Sequence, residues 1–288
     1  MKQIRISLQC LGLALLCLQA NVGCSQLVDA DRQQCSTNKD CQDRGDEFAG
    51  AVCINAVCER DPKWTCADNV LSIPAQAPLQ ATFSILSIFD FGPMPGVHGT
   101  VCGNLDLACL APLGQGDSDA SGNLLLDLPQ AFTGYIKLDS DAIEPMLFFP
   151  RLPIKEGDAA QMAFLSPKGA KQSLATQLGD VVDNTRGLAV FLLYDCLQVA
   201  AAGVSVELLG ATAGSHLYYA FNGTPSTTAT TMDDTGMVGI LNAIPGTLGI
   251  RFKRGDKTIA QTSVLVREGY MSYRAVYVGD PVPAGFQQ

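Results

Sequence analysis

The chain has 288 residues, 47% of them hydrophobic and 16% charged, which excludes a disordered polymer and leaves room for one large or two ordinary domains. Its formal charge is −9, and an acidic surface argues against nucleic acid or anionic lipid as a partner. With 28 Gly and 15 Pro, turns are frequent, which suits short strands better than long helices.

The N-terminus reads as a secretion signal over residues 1–23. Lys2 and Arg5 are the only charges before Asp29, and the stretch from Ile6 to Leu18 is broken in its polarity only by Ser7 and Gln9. It is too short to span a bilayer and has the layout that export machinery reads. The run Asn21-Val22-Gly23-Cys24 resembles a bacterial lipobox, although Asn21 stands where an aliphatic residue is usual. The resemblance implies a diacylated Cys24 and an anchor in the membrane. Ser25 after the cysteine implies the outer membrane. Cysteine parity agrees: of 11 cysteines, Cys10 and Cys17 leave with the signal. Lipid on Cys24 then leaves an even number for disulfides. Cleavage after Ala20 is the competing reading and gives a soluble secreted protein with an odd thiol.

Residues 24–66 read as a small disulfide module. Cys35, Cys41, Cys53 and Cys58 follow C-x5-C-x11-C-x4-C, in a stretch too short to bury its own core without staples. Spacing leaves all three pairings open. A zinc site would call for C-x2-C pairs or histidines, whereas the two histidines, His98 and His216, lie far away. The segment is similar to the short C-x5-D-C repeats of secreted and surface proteins, which act as spacers or contact modules.

The remainder reads as β-structure in two halves, residues 67–155 and 186–280, with a connector over 156–185 and a tail over 281–288. Val204, Val206 and Leu208 alternate with Ser205 and Glu207, and Thr262, Val264 and Val266 share the same period, the mark of strands buried on one face. Phe83 to Phe89 and Leu188 to Tyr194 are continuous apolar runs, which predicts strands buried on both faces. The halves also match one another. Asp119-Ala120-Ser121-Gly122, then a strand, Pro129 and a second strand, parallels Asp233-Asp234-Thr235-Gly236, then a strand, Pro245-Gly246 and a second strand. In each D-x-x-G turn the Asp hydrogen-bonds its own turn and the Gly supplies a positive φ.

Each passage resembles the carboxypeptidase regulatory-like, or transthyretin-like, β-sandwich. The second copy carries Gly203 to Val206, Thr231 to Gly236 and Pro245-Gly246; the first carries Gly99-Thr100-Val101 and the Asp119 turn, with Ser118 and Gln130 departing from the pattern. The resemblance implies an all-β fold of two tandem Greek-key sandwiches behind the disulfide module, in a family whose domains are usually non-catalytic. Ser166-Pro167 in the connector predicts a short helix with Leu174, Ala175 and Leu178 on one stripe.

Among the later cysteines, Cys102 and Cys109 lie close enough to staple one loop or neighbouring strands. Cys66 and Cys196 would then form a long bridge, stabilising by about 2–5 kcal/mol if unstrained; a free buried Cys196 thiol is the alternative.

Catalytic motifs are missing: the sequence contains no G-x-S-x-G, H-E-x-x-H, P-loop or dinucleotide fingerprint, and exported cysteines mostly pair rather than act as nucleophiles. Tyr273-Arg274 matches half of the Y-R-G-S ending of a purine-breakdown hydrolase with a transthyretin-like fold, but Ala275-Val276 breaks it, and an edge strand with an outward Arg274 is expected. Asp117, Asp119 and Ser121 look like the opening of a calcium loop, but Leu128 stands where the bidentate Glu belongs; they are weak calcium candidates in a solvated turn. Asp233 and Asp234 are adjacent on a turn and make a poor acid/base pair. Trp64, Tyr218, Tyr219, Tyr270, Tyr273 and Tyr277 are candidate stacking faces for carbohydrate. The expectation is a non-catalytic, lipid-anchored surface protein without cofactor. Its expected partners are envelope proteins or surface polysaccharide, and the competing classes are a secreted hydrolase and a calcium-dependent binding protein.

Overall fold

A computed structural model describes residues 34–44, 48, 50–67, 77–210 and 213–280. The signal segment, Cys24 and the tail 281–288 lie outside the described residues. The chain divides into two compact units, Met1–Asp61 and Pro62–Gln288.

In the first unit, helix α1 (Asn38–Gln42) starts from a capping box, in which the Thr37 hydroxyl accepts from the Asp40 backbone N–H and the Asp40 carboxylate accepts from the Thr37 backbone N–H. Strands β1 (Ala51–Ile54) and β2 (Val57–Arg60) form a hairpin whose turn residues Asn55 and Ala56 both take positive φ. Disulfides Cys35–Cys53 and Cys41–Cys58 tie the irregular segment before the helix, and the helix itself, to the hairpin. The core they close consists of Cys35, Cys41 and Ala51, with Phe48 packed against it. Sulfur supplies what so few apolar residues cannot.

The second unit holds two sandwiches. The first is built from β3 (Leu79–Ser87), β4 (His98–Cys102), β5 (Gly114–Asp117), β6 (Asn123–Leu128), β7 (Tyr135–Asp139), β8 (Met146–Phe149) and β9 (Gln161–Leu165). Helix α2 (Ala170–Gln177) follows. The second sandwich contains β10 (Gly187–Tyr194), β11 (Ser205–Leu209), β12 (His216–Phe221), β13 (Thr224–Ser226) and β14 (Met237–Ala243). It ends with β15 (Gly246–Arg254), β16 (Lys257–Val266) and β17 (Met271–Tyr277).

The pairings repeat between the halves. β3 pairs antiparallel with β6 and parallel with β9; β10 pairs antiparallel with β14 and parallel with β17. Likewise β4-β7-β8 matches β11-β15-β16. The halves are joined by a parallel pairing of β8 with β17, running from Met146↔Met271 to Phe149↔Arg274. This seam fuses one sheet of each sandwich into a nine-stranded sheet, β13-β12-β14-β10-β17-β8-β7-β4-β5.

The two three-stranded sheets, β6-β3-β9 and β11-β15-β16, cover opposite faces of it. Successive residues of a strand point to opposite sides. Accordingly Met146, Phe148, Leu188, Val190, Met271 and Tyr273 belong to the core under β6-β3-β9. Their neighbours Leu147, Phe149, Ala189, Phe191 and Val276 belong to the core under β11-β15-β16. That double burial explains the continuous apolar run of Leu188 to Tyr194.

Several expectations change. The run from Phe83 to Phe89 is buried on one face only, since β3 sits in an outer layer: Phe83 and Ile85 are inside, Ser84 and Leu86 are half-buried, and Phe89 lies in the turn past the end of the strand, 71% exposed. Residues 161–165 of the expected connector are β9, a strand of the first sandwich. Helix α2 begins at Ala170 after Gly169 in the left-handed region, not at Ser166-Pro167, where Pro167 instead bridges Ile143. In β16, Ser263 and Leu265 are buried along with Thr262, Val264 and Val266, since Ser272 and Arg274 reach over from β17 to the Leu265 and Ser263 carbonyls. Arg274 is therefore not an outward residue of an edge strand. β17 lies between β10 and β8, and Arg274 is buried beneath it, with Nη1 3.2 Å from the Ser263 carbonyl.

Candidate binding cleft at the seam

A cleft of about 740 Å3 opens where β8 leaves the seam and β9 ends the outer sheet. β17 runs past the end of β8, so Ala275 and Tyr277 have no strand on one side and, with the buried Tyr273, which still pairs with Phe148, form a floor; all three point to the same face by alternation. Ala275 is the small residue between the two rings. Tyr194 on β10 lies opposite Tyr277 in register, and the two rings stack with centroids 4.7 Å apart. Phe148 stacks on Tyr273 at 6.0 Å.

After β8 the chain swings Arg151 back over the seam. Its guanidinium lies 3.8 Å over the Tyr277 ring, a favourable cation–π placement. Nε and Nη2 donate to the two Asp280 carboxylate oxygens at 3.0 Å each, a bidentate geometry that fixes both side chains. Gln161, at the start of β9, receives the Arg151 N–H at 2.7 Å and donates to the Arg151 carbonyl at 2.8 Å. Lys155, Asp158 and Gln198 stand at the rim and are exposed.

The electrostatics are those of a holding site. Burial pushes the Tyr194 and Tyr277 phenols up, so they remain neutral donors at physiological pH. Burial also raises the Asp280 carboxyl, against the opposing pull of Arg151 and Arg274. Burial lowers Arg274 to about 10, with Asp280 acting in the other direction. Both histidines stand outside the cleft lining: His98 pairs with Asp117 at 2.9 Å and His216 with Asp180 at 3.1 Å. The cleft offers stacking faces and fixed hydrogen-bonding groups, without a nucleophile beside a base.

The other residues singled out in the sequence fall elsewhere. Cys66–Cys196 and Cys102–Cys109 are disulfides, and Cys66 and Cys196 sit beside Tyr277 and Asp280. The sulfurs of Cys35, Cys41 and Cys58 cluster within 4.8 Å, but each is in a disulfide and none is a free thiolate for zinc. Asp119 Oδ1 receives the Ser121 and Asn123 N–H groups at 2.8 Å each, while Asp117 faces His98. These carboxylates serve their turn and strand. Asp233 Oδ1 receives the Thr235 hydroxyl and N–H, and Asp234 does not join it. Of the expected stacking faces, Tyr218, Tyr219 and Tyr273 are buried, because their strands are interior to the large sheet. Trp64 lies under Arg254 and Tyr270 under Arg267. Arg151, Tyr194 and Asp280 carried no local motif; the one sequence trace of the cleft is the alternation Tyr273-Ala275-Tyr277.

No family model matches the chain, and no curated protein matches it. Among solved structures it is similar to the shaft pilin SpaA of Lactobacillus rhamnosus GG, at 13% identity over 75% of this chain and 100% of that one, with a TM-score of 0.23. The minor pilin GBS52 of Streptococcus agalactiae gives 15% identity over 73% and 98%, with a TM-score of 0.23. The TIE protein of Bacillus anthracis gives 12% over 70% and 34%, with a TM-score of 0.22. Similarity at this level transfers no residue role to this chain.

Proposed function

We propose that this chain is an exported, non-catalytic surface protein, anchored by lipid on Cys24, whose sandwiches form a rigid stem that presents the seam cleft to a ligand. One observation carries the reading. Four disulfides take up all eight cysteines downstream of Cys24, which fits folding in an oxidising compartment. Cys24, at the lipobox-like position, is then the odd cysteine behind the signal-like segment, as lipid attachment requires. An aromatic cleft in which no nucleophile stands beside a base supports binding over turnover.

Intact mass and peptide mass spectrometry of the protein purified from its native host test this. A diacylated Cys24 at the mature N-terminus, with the protein in the outer-membrane fraction, is the expected result. A mature chain starting at Asn21 with an unmodified Cys24 overturns the anchor.

A further inference from the structure

The internal repeat contains a worked example of an interaction that one strand lacks. β17 uses one edge to pair with β10 and the other to pair with β8. Its counterpart β9 pairs with β3 on one edge and ends its sheet on the other. The Leu165 carbonyl receives the Ile88 N–H, on the β3 side. Main-chain groups alternate along a strand, so the N–H and C=O of Met162 and Phe164 point to the open edge. Among the described residues they have no hydrogen-bond partner. The matching groups of Met271 face β8, where the Met271 N–H reaches the Pro145 carbonyl at 2.9 Å.

The space beside that edge is the cleft. Gln161, Met162 and Phe164 form one wall, and Tyr273, Ala275 and Tyr277 form the floor. A strand laid there would add a fourth member to β6-β3-β9 and set alternate side chains onto the aromatic floor. Open ladder groups beside apolar pockets are the elements by which proteins capture extended peptides.

We propose that the open edge of β9 binds an extended segment of a partner polypeptide, running parallel to β9 as β8 runs to β17, with apolar residues at alternate positions. The inference rests on the seam cleft being the binding site. A second copy of this chain is a poor donor: β16 is its counterpart of β8, and the Ser263 and Leu265 carbonyls of β16 are already taken by Arg274 and Ser272.

The test selects a display library of random decapeptides on the full mature protein and then uses the best synthetic peptide as the probe. Amide exchange read by NMR should show Met162 and Phe164 protected at least tenfold by the peptide. Met162→Pro, which removes an edge donor without touching the β3 ladder, should weaken binding at least tenfold. Ala275→Trp, which fills the floor, should abolish it with β9 intact. A peptide that binds while leaving both amides unprotected overturns the strand-addition proposal. Selection of no peptide, with an oligosaccharide from a glycan array bound in a manner that Ala275→Trp blocks, also overturns it but keeps the cleft as a binding site. Failure of both probes removes the cleft reading as well.

Discussion

Gly122 and Gly236 occupy the same place in the two halves of the second unit. The Gly122 carbonyl receives the Ile85 N–H and the Gly236 carbonyl receives the Leu193 N–H, each at 2.8 Å. Both glycines take positive φ, 76° and 62°. A Cβ added to either would meet the facing carbonyl, Ile85 O at 2.7 Å or Leu193 O at 2.6 Å. The turn, the strand after it and the strand it leans on are therefore one repeated device.

Valine at either glycine combines that backbone clash with a positive φ, which alone costs about 1–2 kcal/mol. Because β8 and β17 fuse the sandwiches through one sheet, Gly122→Val and Gly236→Val should each lower the midpoint of the same melting transition. Calorimetry checks this. Two separable transitions, each responding to one variant only, would show that the seam does not couple the sandwiches.

The Cys66–Cys196 bond spans 130 residues, against 7 for Cys102–Cys109. Constraint of the unfolded chain grows with loop length. Replacing Cys66 and Cys196 together by Ala should cost about 2–5 kcal/mol and exceed the loss from the Cys102/Cys109 pair. Urea unfolding under oxidising conditions gives both values, and the reverse order would contradict the argument.

Acid should loosen the two D-x-x-G turns. Hydrogen bonds from the Asn123 and Ser121 backbone hold the Asp119 carboxyl below its usual range. For Asp233, burial pushes upward but is outweighed by bonds from Thr235 and Asn222. A lowered folded pKa means stability that is present above the unfolded value and lost as pH falls through the folded one. Stability should therefore decline below about pH 4, and Asp119→Asn should flatten part of that slope. An unchanged acid limb in the double variant Asp119→Asn/Asp233→Asn would argue that the turns contribute nothing through charge.

Arg274 and Asp280, which act on each other through charge without a direct ion pair, have the opposite character. Burial lowers Arg274 to about 10, so its folded state holds the proton less tightly than the unfolded chain, and its charge opposes folding at neutral pH. Burial raises Asp280, so ionising it also opposes folding as pH climbs above the normal carboxylate range. Removing Arg274 takes away a cation near Asp280 and the bond to the Ser263 carbonyl, while Arg151 keeps its bidentate bond to Asp280. Arg274→Met alone should destabilise clearly, and Asp280→Asn added to it should restore part of the loss. Additive losses in that cycle would mean the two side chains do not interact.

The sequence reveals whatever is written in neighbouring residues. The D-x-x-G turns, the alternation of Val204, Val206 and Leu208 and the apolar run of Leu188 to Tyr194 each carry their own period, and the all-β fold follows from them. The seam does not. Met146 and Met271 are paired across more than a hundred residues, and a four-residue apolar strand such as Met146–Phe149 reads alike whether its neighbour is near or far in sequence. The cleft was equally hidden, because Arg151, Tyr194 and Asp280 meet only through that pairing. The placement of Arg274 is hidden for the same reason: a charged residue near the C-terminus suggests a solvent-facing edge, whereas its strand lies in mid-sheet.

The central position of β17 has a consequence for how the chain is made. Synthesis delivers residues from the N-terminus onward, yet β17, which lies between β10 and β8 in the sheet, follows both of them in the sequence. Until it arrives, β8 and β10 have no common neighbour and the largest sheet is two fragments. The fold of the large sheet is thus completed from the inside: the strand that joins its two fragments is made after both of them.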